Sequence, residues 1–492
     1  MKKAKSIMIQ GTASNVGKSI LVAGLCRIFK QDGFTVAPFK AQNMALNSFV
    51  TAAGLEMGRA QVTQAQACKI LPDVRMNPVL LKPNSDTGSQ IIVNGKASGN
   101  LEAKDYYERK EILRPIVKEA YDSLAEENDI IVMEGAGSCA EINLRENDIV
   151  NMNAALMADA KVLIAGDIDR GGVFAHFVGT YELMLEEEKN LIKGFLINKF
   201  RGDASLLTPA IDFVTNKTGV PTFGVVPWLR DINLPDEDSV EFKQSVGKNK
   251  FDNSKTINIA LIDLPHISNF TDFDCFEQEE DVNVSILDSP EDLEKYDWII
   301  LPGSKNTIGD MNYLNKTGFT DKIKAISENV IITGICGGYQ ILGKVIKDKD
   351  NVEANITEIP GLSLLNHITE FEEEKYLSQT VCKTVDQKFN LTGYEIHHGK
   401  TISEDEVIFR DENGNSLGTK NKNGNIWGTY LHGVFDNAEF RNFLLNEIRI
   451  KKGEETKPVS EFSLENEFDK LADVLRESIN INEIYKIMEI DK

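Results

Sequence analysis

Two stretches of the chain carry residue types at spacings that can do chemistry. The first is Val330-Ile331-Ile332-Thr333-Gly334-Ile335-Cys336-Gly337-Gly338-Tyr339-Gln340-Ile341-Leu342-Gly343, an apolar, β-branched run that ends in Gly-x-Cys-x-Gly before a second apolar segment. The run reads as a buried strand, the glycines as a tight bend and the rest as a helix start. Such an elbow lifts one side chain clear of the backbone, as in nucleophile elbows, here with sulfur in place of oxygen. The helix N-terminus favours a thiolate, and the Gly337 amide is placed to donate to an oxyanion. The second stretch is Gly11-Thr12-Ala13-Ser14-Asn15-Val16-Gly17-Lys18-Ser19, between an apolar strand (Ser6–Gln10) and an apolar helical segment (Ile20–Phe29). This is a P-loop arrangement: backbone amides from Gly11, Thr12, Asn15, Val16 and Gly17 wrap phosphates, Lys18 reaches the terminal ones and the Ser19 hydroxyl can ligate magnesium. One departure is that the first glycine of the usual pattern would fall at Thr12, with Gly11 one residue earlier.

The elements that must position these residues alternate along the first half. Short apolar runs at Val36–Lys40, Asp129–Met133, Lys161–Ala165, Gly194–Asn198 and Thr222–Val226 are separated by helical stretches. Near-continuous apolar strands between helices predict a parallel, doubly wound α/β sheet with ligands at the carboxyl ends of its strands. Lys18, Lys40, Glu134, Asp167, Asp169 and Asn198 fall at those ends. Glu134 is the natural second magnesium ligand beside Ser19, and Glu56 and Asp167 are candidates for a further carboxylate. Asn198 is placed to meet an adenine edge, and Lys40 and Arg170 to hold an anionic substrate. The amide-rich stretch from Lys40 to Thr51, with Gln42, Asn43 and Asn47, suits a large substrate bearing amides or carboxylates, or equally a solvated loop.

A polar, charged stretch over 236–255 reads as a linker after a first domain over 1–235. Fresh strands follow at Thr256–Ile262 and Asp297–Leu301, the latter ending in Pro302-Gly303-Ser304-Lys305. If this turn neighbours Cys336, the backbone at Gly303 and Ser304 completes an oxyanion site. His432 ends the strand-like run Ile426–Leu431 and is a plausible base for Cys336. His397 and His398 form a second histidine candidate, although a metal reading lacks further ligands nearby. The second domain is expected over 256–450, with a helical tail over 451–492.

Composition bounds the reading. At 492 residues, two or three cores are expected. The net charge of −22 argues against a nucleic-acid or anionic-membrane surface, because phosphate binding needs a basic face. The six scattered cysteines form no CxxC pair, which predicts reduced thiols and a cytoplasmic setting. No apolar run is long enough to span a bilayer.

Taken together the motifs resemble the cobyric acid synthase family, glutamine-dependent amidases of cobalamin biosynthesis. The Gly11–Ser19 loop with Lys40 and Glu134-Gly135-Ala136-Gly137 is similar to dethiobiotin-synthetase-like ATP-binding domains, which share the displaced glycine. Lys40–Met44, Met76–Pro83, Gly166–Gly172 and Asn198–Asp203 look like the family's own signatures. The second half resembles a class I glutamine amidotransferase domain with Cys336 as nucleophile and His432 as base. The glutamate that usually lies two residues after that histidine is Val434 here, an absence shared by this branch, so the orienting group is left open. The resemblance implies ATP and magnesium as cofactors. It also implies glutamine and adenosylcobyrinic acid a,c-diamide as substrates, amidated at the b, d, e and g carboxylates. The a,c-diamide synthase type of the same class, and a ParA-like nucleotide switch with a non-catalytic amidotransferase-like module, are the alternatives. The oligomeric state is not legible.

Overall fold

The computed structural model describes residues 4–83, 88–229, 232–235, 250–354, 356–460 and 462–491, with backbone alone at 100–110. Of the linker expected at 236–255, residues 236–249 lie outside the described residues. The first half builds on a sheet of β1 (Lys5–Gly11), β2 (Val36–Phe39), β3 (Ile130–Glu134), β4 (Lys161–Asp167), β5 (Ile192–Phe200) and β6 (Thr222–Pro227), in the order β6-β5-β4-β1-β3-β2. Every pairing is parallel. Strands with helices on both faces must be apolar on both sides, and β2 and β3 are buried throughout. Because the order reverses beside β1, the loop after β1 opens onto the crevice where parallel sheets bind ligands.

The second half builds on a mixed sheet. Its parallel part runs β8 (Val282–Leu287), β7 (Ile257–Ile262), β9 (Trp298–Leu301), β10 (Ile331–Ile335) and β15 (Ile426–Thr429). Beyond β15 the sheet turns antiparallel through β14 (Ser416–Lys420), β13 (Glu406–Asp411), β11 (His367–Thr384) and β12 (Asn390–Ser403). Cys336 follows β10 and His432 follows β15. Neighbouring parallel strands that end on one rim thus bring together residues 96 positions apart in the chain.

The two halves meet through residues 47–59. Asn47 Oδ1 accepts from the Phe270 amide at 3.1 Å, and the Ser48 amide donates to Asn269 Oδ1 at 3.2 Å. Phe49 packs against Tyr394 with ring centroids 5.0 Å apart. Glu56, 1% exposed, accepts from Lys82 of its own domain at 2.9 Å and from Lys375 of the other at 2.7 Å. Burial would raise the Glu56 pKa, but Lys375 and then Lys82 hold it well below the usual carboxylate range.

The sequence predicts 451–492 as a helical tail. Its helix Leu464–Ser478 packs on α1 (Lys18–Gln31), the helix that opens with the P-loop lysine. Its Leu471 and Leu475 lie so close to Gly24 that a Cβ there would come within 2.2 Å of Leu475. Arg27, 1% exposed, pairs with Asp469 and Glu465, each at 2.7 Å. No described helix is long and apolar enough to cross a membrane. Leu475 is fully buried in this contact, so Leu475→Ala is expected to cost about 2–5 kcal/mol of stability. Denaturant unfolding followed at the first domain measures it, and an unshifted transition would refute the docking.

Candidate active site

The thiol centre is built on strain and close packing. Cys336 has φ 50° and ψ −104°, a backbone that side chains other than glycine rarely adopt. The turn is possible because Gly338 follows: a Cβ there would meet the Leu301 carbonyl oxygen at 2.0 Å. Gly337 approaches Ser304 just as closely, with the Ser304 amide nitrogen 2.8 Å from where its Cβ would stand. Gly303 lies against the His432 ring by the same measure, at 3.3 Å. The structure therefore gathers Gly303, Ser304, Gly337, Cys336 and His432 at one point. The Ser304 hydroxyl donates to Asp310 at 2.6 Å, which leaves backbone amides as the donors that this turn can offer an oxyanion.

His432 is 1% exposed, and its Nδ1 donates to Asp272 Oδ2 at 2.7 Å. The other Asp272 oxygen accepts the Gly433 amide at 2.9 Å. Burial by itself would lower the His432 pKa. Asp272 outweighs it, by charge and by hydrogen bond, and a further hydrogen bond to Cys336 adds to this, raising the value to about 10. Reciprocal backbone bonds with Tyr394, at 3.1 and 2.9 Å, fix the histidine's main chain, and the Tyr394 ring stacks on the imidazole at 5.2 Å. A nucleophilic sulfur, an oriented imidazole and a carboxylate behind it make an arrangement for attack on an amide carbonyl. The His397 ring stacks on Tyr430 at 3.8 Å and its Nδ1 meets the Gly399 carbonyl at 2.7 Å.

The second centre lies at the carboxyl ends of β1 and β3. Asn15 (φ 58°) and Gly17 (φ 87°) curl the loop so that it wraps inward. Gly17 has no alternative, since a Cβ would fall 2.2 Å from the Asn198 amide nitrogen. Lys18 Nζ donates to the carbonyls of Ala13 (3.2 Å) and Gly137 (3.1 Å). Glu134, fully buried, accepts from Ser19 (2.9 Å), Lys40 (2.7 Å) and Gln64 (2.5 Å). The loop divides two cavities, of 590 and 500 Å3, and Asn15 and Lys18 line both. The first holds Thr12, Lys40, Gln42 and Asn43. The second holds Gly17, Ser19, Asp167, Asp169, Arg170 and Asn198.

The expectations for Asn47 and Glu56 need correction, while Asn198, Lys40, Asp169 and Arg170 line the cavities and have further partners. Asn47 is 1% exposed and serves the Phe270 amide across the domain boundary, so it does not face a substrate cavity. Glu56 is sequestered by two lysines at that same boundary and does not join Glu134. The Asn198 amide nitrogen is engaged by the Val16 carbonyl at 2.8 Å and braces the loop. Lys40 is paired with the Glu134 carboxylate. Arg170 and Asp169 line the cavity opposite the one with Lys40, and Asp169 pairs with Arg201 at 3.2 Å.

Both halves match known domain families. Residues 7–241 match the CobQ/CobB/MinD/ParA nucleotide binding domain, and residues 258–440 match the CobB/CobQ-like glutamine amidotransferase domain. The cobyric acid synthase of Nitratidesulfovibrio vulgaris is 47% identical over 98% of this chain and 97% of its own. That of Clostridium acetobutylicum is 50% identical over 99% of each chain. This chain belongs to the cobyric acid synthase family. It is also 50% identical to the adenosylcobalamin biosynthesis bifunctional protein CobDQ of Leptospira interrogans, of whose length it spans 57%.

Within this cobyric acid synthase family member, Asp272, Gln64 and Trp228 carry no signal in the sequence that singles them out. The Asp272 carboxylate lies 160 residues from the histidine that it orients, so no local spacing announces it. Arg201 stacks on Trp228 at 4.1 Å beside the phosphate loop, and a lone Trp-Leu pair carries no signature. Because Asp272 sustains the proton on His432 up to about pH 10, Asp272→Asn should move the alkaline limb of the glutaminase pH profile downward. It should also lower glutaminase turnover by roughly 10^2–10^4. A profile that stays in place would show that His432 is oriented by something else.

Proposed function

We propose that the protein amidates the b, d, e and g carboxylates of adenosylcobyrinic acid a,c-diamide, using ATP, magnesium and glutamine. The observation that carries this reading is the bond from Asp272 to His432 beside Cys336, which supplies the orienting carboxylate that the local sequence lacks. A degenerate binding module has no use for such an arrangement.

At the thiol centre, Cys336 sulfur attacks the glutamine side-chain amide carbon, and amides of the Gly303–Ser304 turn and of Gly337 receive the oxyanion. His432 holds the proton that passes to the leaving nitrogen, and ammonia departs from a thioester that water then opens to glutamate. At the P-loop centre, Lys18 and the loop amides bind the ATP phosphates in the Ser19–Asp167 cavity, while the cavity with Lys40, Gln42 and Asn43 receives the corrinoid. The donor set fits magnesium: a P-loop hydroxyl within 2.9 Å of a buried carboxylate gives hard oxygen ligands, and Ser19 and Glu134 would hold the ion. Bound there, it supplies charge neutralisation on phosphate oxygens. A carboxylate is a poor acyl donor, and phosphorylation makes it receptive to ammonia.

Cys336→Ser should abolish glutamine-driven amidation and keep ammonium-driven amidation, read by mass spectrometry of the corrinoid product. Loss of both would refute the role of the cysteine. Conversely, Lys18→Ala should stop amidation from either nitrogen source, and amidation that survives it would refute the role of the phosphate loop.

A further inference from the structure

The cavity at Cys336 has a volume of only 30 Å3, about that of one water. Lys305, Glu353, Lys375 and His398 line both it and a 690 Å3 cavity between the two domains, so they form the wall that separates them. The cations of this region are not equally matched. Lys375 and Lys82 share the Glu56 carboxylate. Among the described residues, the Lys305 ammonium has no carboxylate within ion-pair distance and no hydrogen-bond acceptor, although its own amide is fixed to the His266 carbonyl at 2.9 Å. Burial, and then the nearby Lys82 charge, push its pKa down. Beside it, Glu353 accepts from the Thr307 amide at 2.7 Å and from the Ile308 amide, and burial pushes its pKa up to about 7. The wall therefore sets a cation without an ion-pair partner next to a carboxylate held only by backbone amides, both half-buried.

Desolvated charges are costly until a partner arrives. The partner that satisfies both is a zwitterion with its charges on adjoining atoms, which is the head group of a free α-amino acid. The scale agrees. Glutamine's α-carbon lies three carbon–carbon bonds, about 4 Å, from its amide carbon. Lys305 and Glu353 line the same small cavity as Cys336.

We propose that Lys305 binds the α-carboxylate and Glu353 the α-ammonium of the glutamine consumed at Cys336, and that these two residues select a free amino acid over other primary amides. The proposal rests on the reading of Cys336 as a glutaminase nucleophile. Glutamine enters from the interdomain cavity and displaces the wall. Because Lys82, which lines the cavity at Cys336, comes from the nucleotide-binding domain, the head-group pocket is complete only when both domains are together.

The test is ammonia release by the full-length protein from glutamine, from 4-aminobutanamide, which lacks the α-carboxylate, and from glutaramate, which lacks the α-ammonium. The wild type should use each analogue with a kcat/KM about 10–100-fold lower than glutamine, the factor expected for one charged hydrogen bond. Lys305→Met should raise the KM for glutamine by a similar factor with little change in kcat, and should no longer distinguish glutamine from 4-aminobutanamide. Glu353→Gln should no longer distinguish glutamine from glutaramate. A wild type that uses either analogue as well as glutamine would overturn the proposal whether or not the variants fold. So would a Lys305→Met protein that melts normally and still rejects 4-aminobutanamide. No ammonia from glutamine itself would instead overturn the role of Cys336.

Discussion

Without a partner on Nδ1, His432 would be free to turn away from Cys336; the 2.7 Å bond to Asp272 removes that freedom and keeps the ring charged. Asp272 is itself placed from outside its domain. It lies on the 3-10 segment Phe270–Gln278, whose first amide is capped by Asn47 of the nucleotide-binding half. The residue before that segment, Asn269, has φ 53° and accepts from the Ser48 amide. Asn47 in turn accepts the backbone amide of Arg59 at 3.3 Å, and Arg59 opens the helix α2 (Arg59–Ala67). Gln64, further along α2, is the donor to Glu134. A continuous run of hydrogen bonds and one short helix thus joins the carboxylate at the phosphate loop to the carboxylate behind the histidine.

The domain contact that permits this is specified by charge. Glu56 sits between Lys82 and Lys375, all almost completely buried. Removal of one member of such a group leaves an uncompensated ion, at about 3–5 kcal/mol. A slide of one domain over the other by a few ångströms has the same effect on all three. Apolar contacts such as Phe49 on Tyr394 tolerate small shifts, whereas this carboxylate does not. Lys82, held by that carboxylate, reaches from the nucleotide-binding domain to line the small cavity at Cys336.

The parallel sheets, the elbow at Cys336, the P-loop and the placing of Glu134 and His432 at strand ends were legible in the sequence, because each is a local pattern: an apolar run that ends at a functional residue close to glycine. Contacts made across the domain boundary were not legible. Asn47 and Glu56 belong to a stretch rich in polar groups, and composition cannot tell an amide that meets substrate from one that meets another backbone. Asp272 escaped because the orienting carboxylate is usually sought beside the histidine, where this chain has the buried Val434. The final helices were legible as amphipathic, but the surface that they cover belongs to a helix more than 400 residues earlier.

That last contact has a consequence for how the molecule is made. Helix Leu464–Ser478 contributes Phe468, Leu471, Ala472 and Leu475 to the same apolar cluster as Leu21, Val22 and Leu25. A chain that emerges from the ribosome in order presents the phosphate-loop helix first and its cover last, after the whole amidotransferase sheet. Throughout that interval the nascent nucleotide-binding half carries an uncovered apolar flank, a surface that chaperones recognise. Only when these helices emerge does that half acquire the layer over Leu21, Val22 and Leu25.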